Sequence, residues 1–420
     1  MSAARDQQAP IAPPEPDLTP AELVERARAL RPRVLEEAAE TERRRYYSQD
    51  LHEEFERAGL YRMWVPRRYG GYEVDVPTFL RVIMEIAHAD LGTAWCLCLA
   101  SGHAMQVATL FEEPVQAELF GDGDFRCAAV AAPTGRATKT DDGWEISGTW
   151  PYSSGVPYST HYMAQTLIHD ESGGPPRMLM FVIPRSEWRM NDDWGDLLGL
   201  KGSGSHSITI DRGRIPARYA LEDVFMVEAD VTGGSPGSRL HNNPMYAGRN
   251  VSLFQIELSA LMVGAVKGAI DEYEQLVLTR KTQRPPVTLR ADDPDYQRWL
   301  GVAIGDTSVA EAAVLHAGEE WMEAARRNVE DGVPFTREED LRLNYVGRFG
   351  LRMAWKVMQE QIVGTAGSSA VRDGERMQRI YRDMTMGHGH FGNLLGDSIA
   401  RQIGQMRLGR LPTEVPAQPA

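Results

Sequence analysis

Two hydroxyl side chains and an aromatic ring follow one another in residues 148–155, at the end of a predicted strand. Residues 144–147 alternate apolar and polar side chains directly after an Asp-Asp-Gly turn, which predicts that strand. It leads to Tyr152, Ser153 and Ser154. An aromatic face beside small hydrogen-bonding groups suits a flat heteroaromatic ring, because stacking and edge recognition need different surfaces. A strand end closed by a serine–glycine turn is the alternative interpretation of this stretch.

The composition is that of an acidic globular protein. The 420 residues include 45 Lys and Arg against 59 Asp and Glu, a formal net charge of −14, and 42% are hydrophobic. An acidic chain without a concentrated basic tract is a poor candidate for binding nucleic acid or an anionic membrane. The N-terminus lacks the apolar core of a signal peptide, and no apolar run is long enough to span a bilayer. We therefore expect a cytoplasmic protein.

The three cysteines do not indicate a metal site. Cys96 and Cys98 form a Cys-x-Cys pair inside an apolar run, and Cys127 is the third. A zinc site would need a second pair of ligands at a suitable spacing. We expect buried thiols in a reducing compartment and no bound metal.

The elements that position the candidate residues form an α+β fold of three domains. Residues 18–122 are predicted to form an N-terminal helical domain, since Thr19, Pro20 and Glu22 make a helix-start signal. Residues 123–232 contain short alternating runs between turns, which predicts a β-domain. Residues 233–412 return to helical periodicity and predict an up-and-down four-helix bundle. Residues 1–17 and 413–420 are expected to be tails.

Individual elements can also be placed. Strands are expected in five stretches: 126–132, 143–147, 162–169, 178–183 and 206–210. The bundle helices are expected to include 296–329, 336–364 and 375–406. No Gly-x-Gly-x-x-Gly follows a predicted strand and no P-loop occurs, which argues against the usual dinucleotide and ATP folds.

This order of domains resembles the acyl-CoA dehydrogenase fold. The resemblance includes five short motifs, in residues 60–71, 148–155, 194–205, 361–367 and 379–383. The dehydrogenases place a glutamate base a few residues after the Arg-Asp pair, whereas residues 384–392 here contain His388 and His390 and no carboxylate. In this the chain is similar to the two-component flavin-dependent monooxygenases of the same fold, among them the oxygenase component of 4-hydroxyphenylacetate hydroxylase, secosteroid monooxygenase and dibenzothiophene monooxygenase.

The resemblance implies a reaction and its partners. Such enzymes take reduced FMN (FMNH2; FAD is also possible) from a separate NAD(P)H-dependent flavin reductase. With O2, and through a C4a-hydroperoxyflavin, they hydroxylate an aromatic or polycyclic small molecule or oxidise a heteroatom. Protecting that species requires a hydrogen bond at flavin N5 and a dry pocket. The implied subunit arrangement is a homotetramer.

The resemblance also assigns site residues. The expected catalytic residues are His103, Ser154 and His390, with Ser154 at flavin N5 and Ser153 as its competitor. The expected cofactor-binding residues are Tyr152, Ser153, Ser154, Ser203, Arg280, Gly364 and Thr365. Arg280 is expected to meet the flavin phosphate, often across a subunit boundary, because a guanidinium fork suits that group.

The substrate is expected to contact aromatic and histidine side chains: Trp95, His103, Tyr246, Phe254 and His388. We expect His390 to take part in proton transfer and His103 to orient the substrate, since histidine titrates near neutral pH. Each residue also has a structural interpretation. His103 could cap a helix, the glycine-rich stretch around His390 could be a helix bend, and Arg280 could be a surface charge.

Two other functions stay open from the sequence. One is an FAD-dependent acyl-CoA dehydrogenase with Glu257 as the base, since some dehydrogenases of this fold carry their base on the first bundle helix. The other is a flavin-free scaffold that keeps the fold for binding alone. The first would contain tightly bound FAD, and the second would have no affinity for reduced FMN.

Overall fold

The computed structural model describes residues 11–121, 123–168 and 176–411. Its helical N-terminal part comprises α1 (Pro20–Arg44), α2 (Gln49–Arg57), α3 (Val76–Ala89), α4 (Leu91–Gly102), α5 (Ala104–Leu110) and α6 (Glu113–Phe120). Helix α1 begins with the capping box that the sequence predicts. The Thr19 hydroxyl accepts a hydrogen bond from the Glu22 backbone N–H at 3.2 Å, and the Glu22 carboxylate accepts one from the Thr19 N–H at 2.8 Å.

The central part is one mixed sheet. Its strands within the described residues are β1 (Cys127–Val130), β2 (Arg136–Lys139), β3 (Gly143–Trp150), β4 (His161–Ile168), β5 (Arg177–Pro184), β6 (Arg189–Met190), β7 (Ile208–Pro216) and β8 (Ala220–Glu222). The strand order is β6-β7-β3-β2-β4-β5-β8, and β1 pairs with β4 in parallel. Strand β3 runs three residues further than expected, to Trp150, and the short strands β2, β6 and β8 were not expected. The end of the third expected strand, at 169, lies outside the described residues.

The C-terminal part returns to helices, as expected. It comprises α7 (Pro236–His241), α8 (Asn250–Thr279), α9 (Pro294–Arg326), α10 (Arg337–Lys356), α11 (Gly364–Ala366), α12 (Arg376–His388), α13 (Phe391–Leu394) and α14 (Gly396–Arg407). Among the described residues, α8 alone is long and apolar enough to cross a membrane, but 89% of its most apolar window is buried inside the protein. It is the core helix against which α3, α9 and α10 pack. The predicted fold class is confirmed.

The last expected helix, 375–406, is interrupted. Helix α12 ends where the Gly389 N–H bonds the Thr385 carbonyl at 3.0 Å. His390 then adopts an extended backbone, with φ −57° and ψ 142°, and caps α13. The glycine-rich sequence explains this break, since glycine is a poor helix former. Because of the break, His390 leaves the line of α12 and turns its ring into the protein.

Two apolar cores hold the parts together. One continuous core joins the N-terminal helices to the bundle and includes Trp95 and Leu258. A second core lies within the sheet and includes Trp150 and Tyr162. All three cysteines are free and buried. The site lies where the helical core meets the loops at one end of the sheet.

Candidate active site

Ser154 is the first element of the site. Its Oγ lies 2.7 Å from Ser205 Oγ, which in turn lies 2.7 Å from Ser203 Oγ. The indole Nε1–H of Trp95, from α4, donates to Ser154 Oγ at 3.2 Å. Three hydroxyls from two loops of the β-domain thus form a chain that ends against a helix of the N-terminal domain.

Ser153 faces the other way. Its Oγ donates to the Trp150 carbonyl at 3.0 Å and is 2.8 Å from the Tyr162 hydroxyl, and the residue has no exposed surface. The two serines separate because the chain turns sharply around them. Tyr152 has φ +59° and Gly155 has φ +82°. A Cβ at Gly155 would lie 2.7 Å from the Ala100 backbone nitrogen, so only glycine lets this turn approach α4.

Tyr152 is an exposed aromatic ring beside these hydroxyls. It is 64% exposed, and its ring meets that of Trp194 edge to face at 5.5 Å. The loop carrying Trp194 and the serines is fixed to the bundle, because the Leu200 N–H donates to Asp383 Oδ1 at 2.7 Å. Burial, together with the charge of Asp90, raises the pKa of Asp383 above its ordinary value.

His390 lies against the same tryptophan. Its ring centroid is 5.5 Å from that of Trp95 and 6.0 Å from that of Phe254 on α8. Its Nδ1 accepts a hydrogen bond from the Gly392 N–H at 3.2 Å, so the neutral ring carries its hydrogen on Nε2. Burial lowers its pKa to about 4, which keeps the ring neutral at pH 7.

His103 has the opposite tautomer. It follows α4 directly, two turns beyond Trp95, and is 8% exposed. Its Nδ1 lies 2.7 Å from the Cys127 carbonyl oxygen. A carbonyl can only accept, so Nδ1 carries the hydrogen and the lone pair is on Nε2. Burial lowers the pKa of His103 below its ordinary value of 6.5.

The remaining expected substrate residues are not brought to this group. The ring of His388 stacks on Trp355 at 5.4 Å. Tyr246 is fully buried, and its ring packs against His241 at 5.0 Å. Trp95 and Phe254, in contrast, both contact His390.

Arg280, Gly364 and Thr365 lie at the far end of α8. Arg280 donates to Ser369 Oγ at 2.5 Å, and the Thr365 hydroxyl is 2.6 Å from that of Tyr273. Phe254 lies near the opposite end of the same helix, about 40 Å away along its axis. A single chain therefore does not bring Arg280 to its own Ser154.

The residues at Ser154 fit a planar heteroaromatic cofactor. A large aromatic side chain is normally buried, but the Tyr152 ring is exposed to solvent. Beside it lies a chain of serine hydroxyls that can form hydrogen bonds with the nitrogen and oxygen atoms of a bound heteroaromatic ring. Sequence reasoning missed Ser205, the hydroxyl bonded directly to Ser154. The Ser-Gly-Ser sequence at 203–205 was its one signal, because the glycine adopts the left-handed conformation, with φ +59°, that turns the chain between the two hydroxyls.

The chain is similar to known proteins along most of its length. The family descriptions "Acyl-CoA dehydrogenase, N-terminal domain" and "Acyl-CoA dehydrogenase, C-terminal domain" match residues 20–118 and 256–394, together more than half of the chain. The flavin-dependent monooxygenase oxygenase subunit HsaA of Rhodococcus jostii is 27% identical over 382 residues, which is 88% of this chain and 94% of that protein.

A pigment production hydroxylase of a Rhodococcus species is 28% identical over 95% of this chain and 99% of its own length. The crystal structure of 3-HSA hydroxylase from Rhodococcus sp. RHA1 superposes with a TM-score of 0.82 at 25% identity, over 94% of this chain and 98% of that one. These relatives favour an oxygenase over the dehydrogenase and the flavin-free scaffold. The chain belongs to the acyl-CoA dehydrogenase family, among the flavin-dependent monooxygenases that share its fold.

Proposed function

We propose that this protein is the oxygenase component of a two-component monooxygenase that hydroxylates an aromatic or polycyclic small molecule. One observation carries the proposal. Two neutral histidines with opposite tautomers lie near Trp95, the residue that donates to the Ser154 hydroxyl. His390 contacts the Trp95 ring, and His103 follows two turns beyond Trp95 at the end of α4. The named relatives, a flavin-dependent monooxygenase and a hydroxylase, support the same conclusion.

The hydrogen bonds support roles for the two histidines that are the reverse of those expected from the sequence. His103 has a free Nε2 lone pair, so it can accept the proton of a substrate hydroxyl while the Cys127 carbonyl stabilises the imidazolium. His390 presents Nε2–H and uses its lone pair on Gly392, so it is a hydrogen-bond donor to the reacting group. Burial lowers the pKa of both rings, so both are neutral at pH 7.

The flavin would be held by two separated sets of residues. Tyr152 would cover the ring, while Ser154, with Ser205 and Ser203 behind it, would bond to its edge. When bound, a reduced flavin supplies the two electrons that activate O2. Arg280, Gly364 and Thr365 lie too far away to act on the same molecule, so they would hold the phosphate of a flavin at a neighbouring subunit.

The partners follow from this arrangement. A site that needs Arg280 from a second copy requires an oligomer, and we propose a homotetramer. The words "oxygenase subunit" in the name of the Rhodococcus relative support a separate NAD(P)H-dependent flavin reductase that delivers FMNH2. Three free, buried thiols and a supply of NAD(P)H fit a cytoplasmic location.

A reductase-coupled assay tests the proposal. The purified protein is incubated with a flavin reductase, NADH, FMN and ¹⁸O2 across a panel of phenols, indoles and polycyclic phenols, and the products are analysed by mass spectrometry. We expect one ¹⁸O atom in the product and no reaction when the reductase is omitted. Products without ¹⁸O, or flavin oxidation with no turnover of any panel member, would contradict the proposal.

A further inference from the structure

Glu257 is a buried carboxyl without a partner. Six acidic side chains are buried in the described part of the chain: Glu37, Glu85, Asp90, Glu257, Asp340 and Asp383. Five of them bond to an arginine, a hydroxyl or a backbone N–H, as Glu37 does to Arg44 at 2.7 Å and Asp340 to the Ser252 N–H at 2.8 Å. Glu257 is 7% exposed and has no hydrogen bond or ion pair with any described residue. A buried carboxyl of this kind needs a partner from outside the chain.

The carboxyl lies inside the proposed site. Glu257 is one helical turn beyond Phe254 on α8, on the same side of the helix. Its Oε1 faces Gly102, where an added Cβ would lie 3.1 Å from that oxygen and 3.7 Å from Phe79 Cζ. The absence of a side chain at Gly102 therefore makes room for the carboxyl at the residue that precedes His103. Phe79 approaches Gly102 with its ring edge, and Phe254, one turn before Glu257, contacts His390.

Within residues 11–121, 123–168 and 176–411, no arginine, lysine or histidine side chain forms a hydrogen bond or an ion pair with this carboxyl. The titratable side chains on the neighbouring helix α4 and at its end are Cys96, Cys98 and His103. Burial raises the pKa of both thiols above the ordinary value and lowers the pKa of His103, so all three groups are neutral at pH 7. Burial alone raises the pKa of Glu257 to about 8, with no opposing charge. The carboxyl is thus protonated in the resting protein.

We propose that Glu257 is a specificity residue that pairs with a protonated amine on the aromatic substrate. An ammonium group supplies the positive charge that no described residue provides, and the partly exposed ring of Phe254 favours such a cation through its face. On binding, Glu257 loses its proton to solvent and becomes the carboxylate partner of the ammonium, so no other reactant is needed. The inference rests on the proposed function, since it assumes that the substrate binds between Trp95, Phe254 and His103.

Calorimetry with matched probes tests this pairing. Tyramine carries a phenol and an ammonium, and tyrosol carries a hydroxyl in place of the amine. Both are titrated at pH 7 into the full-length protein with FMNH2 under anaerobic conditions, in two buffers of different ionisation enthalpy. We expect tyramine to bind about tenfold more tightly than tyrosol and to release about one proton per molecule bound.

Two variants distinguish the role of the Glu257 carboxyl from the effect of losing any carboxylate on the same helix. In Glu257→Gln, the preference for tyramine and the proton release should both disappear while tyrosol binding is kept. Glu274→Gln removes an exposed carboxylate from the same helix and should behave as the wild type. Should Glu257→Gln fail to fold, Glu257→Asp keeps the carboxyl and should retain proton release with weaker tyramine binding.

Several results would overturn the pairing of Glu257 with an amine. Equal affinity for the two probes, no binding of tyramine, or proton release that persists in Glu257→Gln would overturn the inference. Equal loss of tyramine and tyrosol in Glu257→Gln would make Glu257 a partner of neutral donors instead, and would also overturn it. FMNH2 binding is measured in the same samples. Its retention would confine the failure to Glu257, whereas its absence in the wild type would refute the proposed function itself.

Discussion

Replacing Ser154 with alanine removes the hydroxyl that we place at the edge of the flavin. In the protein alone, Ser154→Ala takes away the acceptor of Trp95 Nε1–H at 3.2 Å and one partner of Ser205 at 2.7 Å. Trp95 is 2% exposed, so its N–H would stay buried and unpaired. Such a loss costs about 1–3 kcal/mol. We expect the free energy of unfolding, measured with urea, to fall by this amount.

The same substitution should also change the outcome of turnover. If the Ser154 hydroxyl contributes a hydrogen bond of this size to the flavin, its loss should raise the ratio of hydrogen peroxide to hydroxylated product by about 5- to 150-fold. The assay measures NADH oxidised, peroxide released and product formed with the reductase present. Binding of FMNH2 should change much less, since the phosphate contacts are untouched.

Ser153→Ala is the matched control for this prediction. It removes a hydroxyl bonded to Trp150 and Tyr162, away from the proposed flavin. It should destabilise the fold by a similar amount and leave the coupling of NADH to product unchanged. Equal coupling in Ser154→Ala and the wild type, or equal uncoupling in the two alanine variants, would refute the placement of Ser154.

Three further predictions concern other parts of the site. The wild type should lose activity as the pH falls below 6.5 and His103 becomes protonated. His103→Ala should lower kcat for a phenol by roughly 10²–10⁴ and abolish this pH dependence, whereas His390→Ala should keep it. Identical pH profiles of the two variants would contradict the assignment. Glu257 has its pKa raised from 4.5 to about 8, so its contribution to stability is complete below pH 4.5 and is lost as pH rises to 8. Between pH 4.5 and 8, the free energy of unfolding of the wild type should therefore fall by up to about 5 kcal/mol relative to that of Glu257→Gln. If the difference between the two proteins does not change with pH, the carboxyl is solvated and the reasoning is wrong. Arg280→Ala should weaken FMNH2 binding. When Arg280→Ala and Ser154→Ala chains are co-expressed, a mixed oligomer should contain some sites with Ser154 from one chain and Arg280 from the other, and activity should return. If the mixed oligomer regains no activity, both residues belong to the site of one subunit.

Periodicity was enough to predict the architecture. The change from a helical to an alternating pattern of apolar residues, and back again, matches the order of helices, sheet and helices, because a buried helix face and a buried sheet face give different sequence periods. Short strands such as β2 and β6 carry too few residues to show a period. In the sequence, the interruption at Gly389 appears only as a glycine-rich stretch. The inward position of the His390 ring could not be predicted, because it depends on packing against Trp95.

The site was only partly predictable for a physical reason. The hydrogen bond between Trp95 and Ser154 joins residues 59 positions apart in the sequence. Glu257 is buried without a hydrogen-bond partner among the described residues, and this depends on all the segments that pack around it. Likewise, the tautomers of His103 and His390 are set by backbone groups of other segments. Residue types indicate which chemistry is available, and tertiary contacts decide which atom performs it.

The affinity of the purified protein for flavin in its two redox states tests the central claim most directly. The proteins compared are the wild type and Ser154→Ala, titrated with FMNH2 and with oxidised FMN under anaerobic conditions. We predict a protein that is purified without tightly held flavin, exchanges it freely and binds FMNH2 more tightly than FMN. Purification with stoichiometric, non-exchanging FAD that is bleached by an acyl-CoA would contradict an oxygenase supplied with reduced flavin from outside.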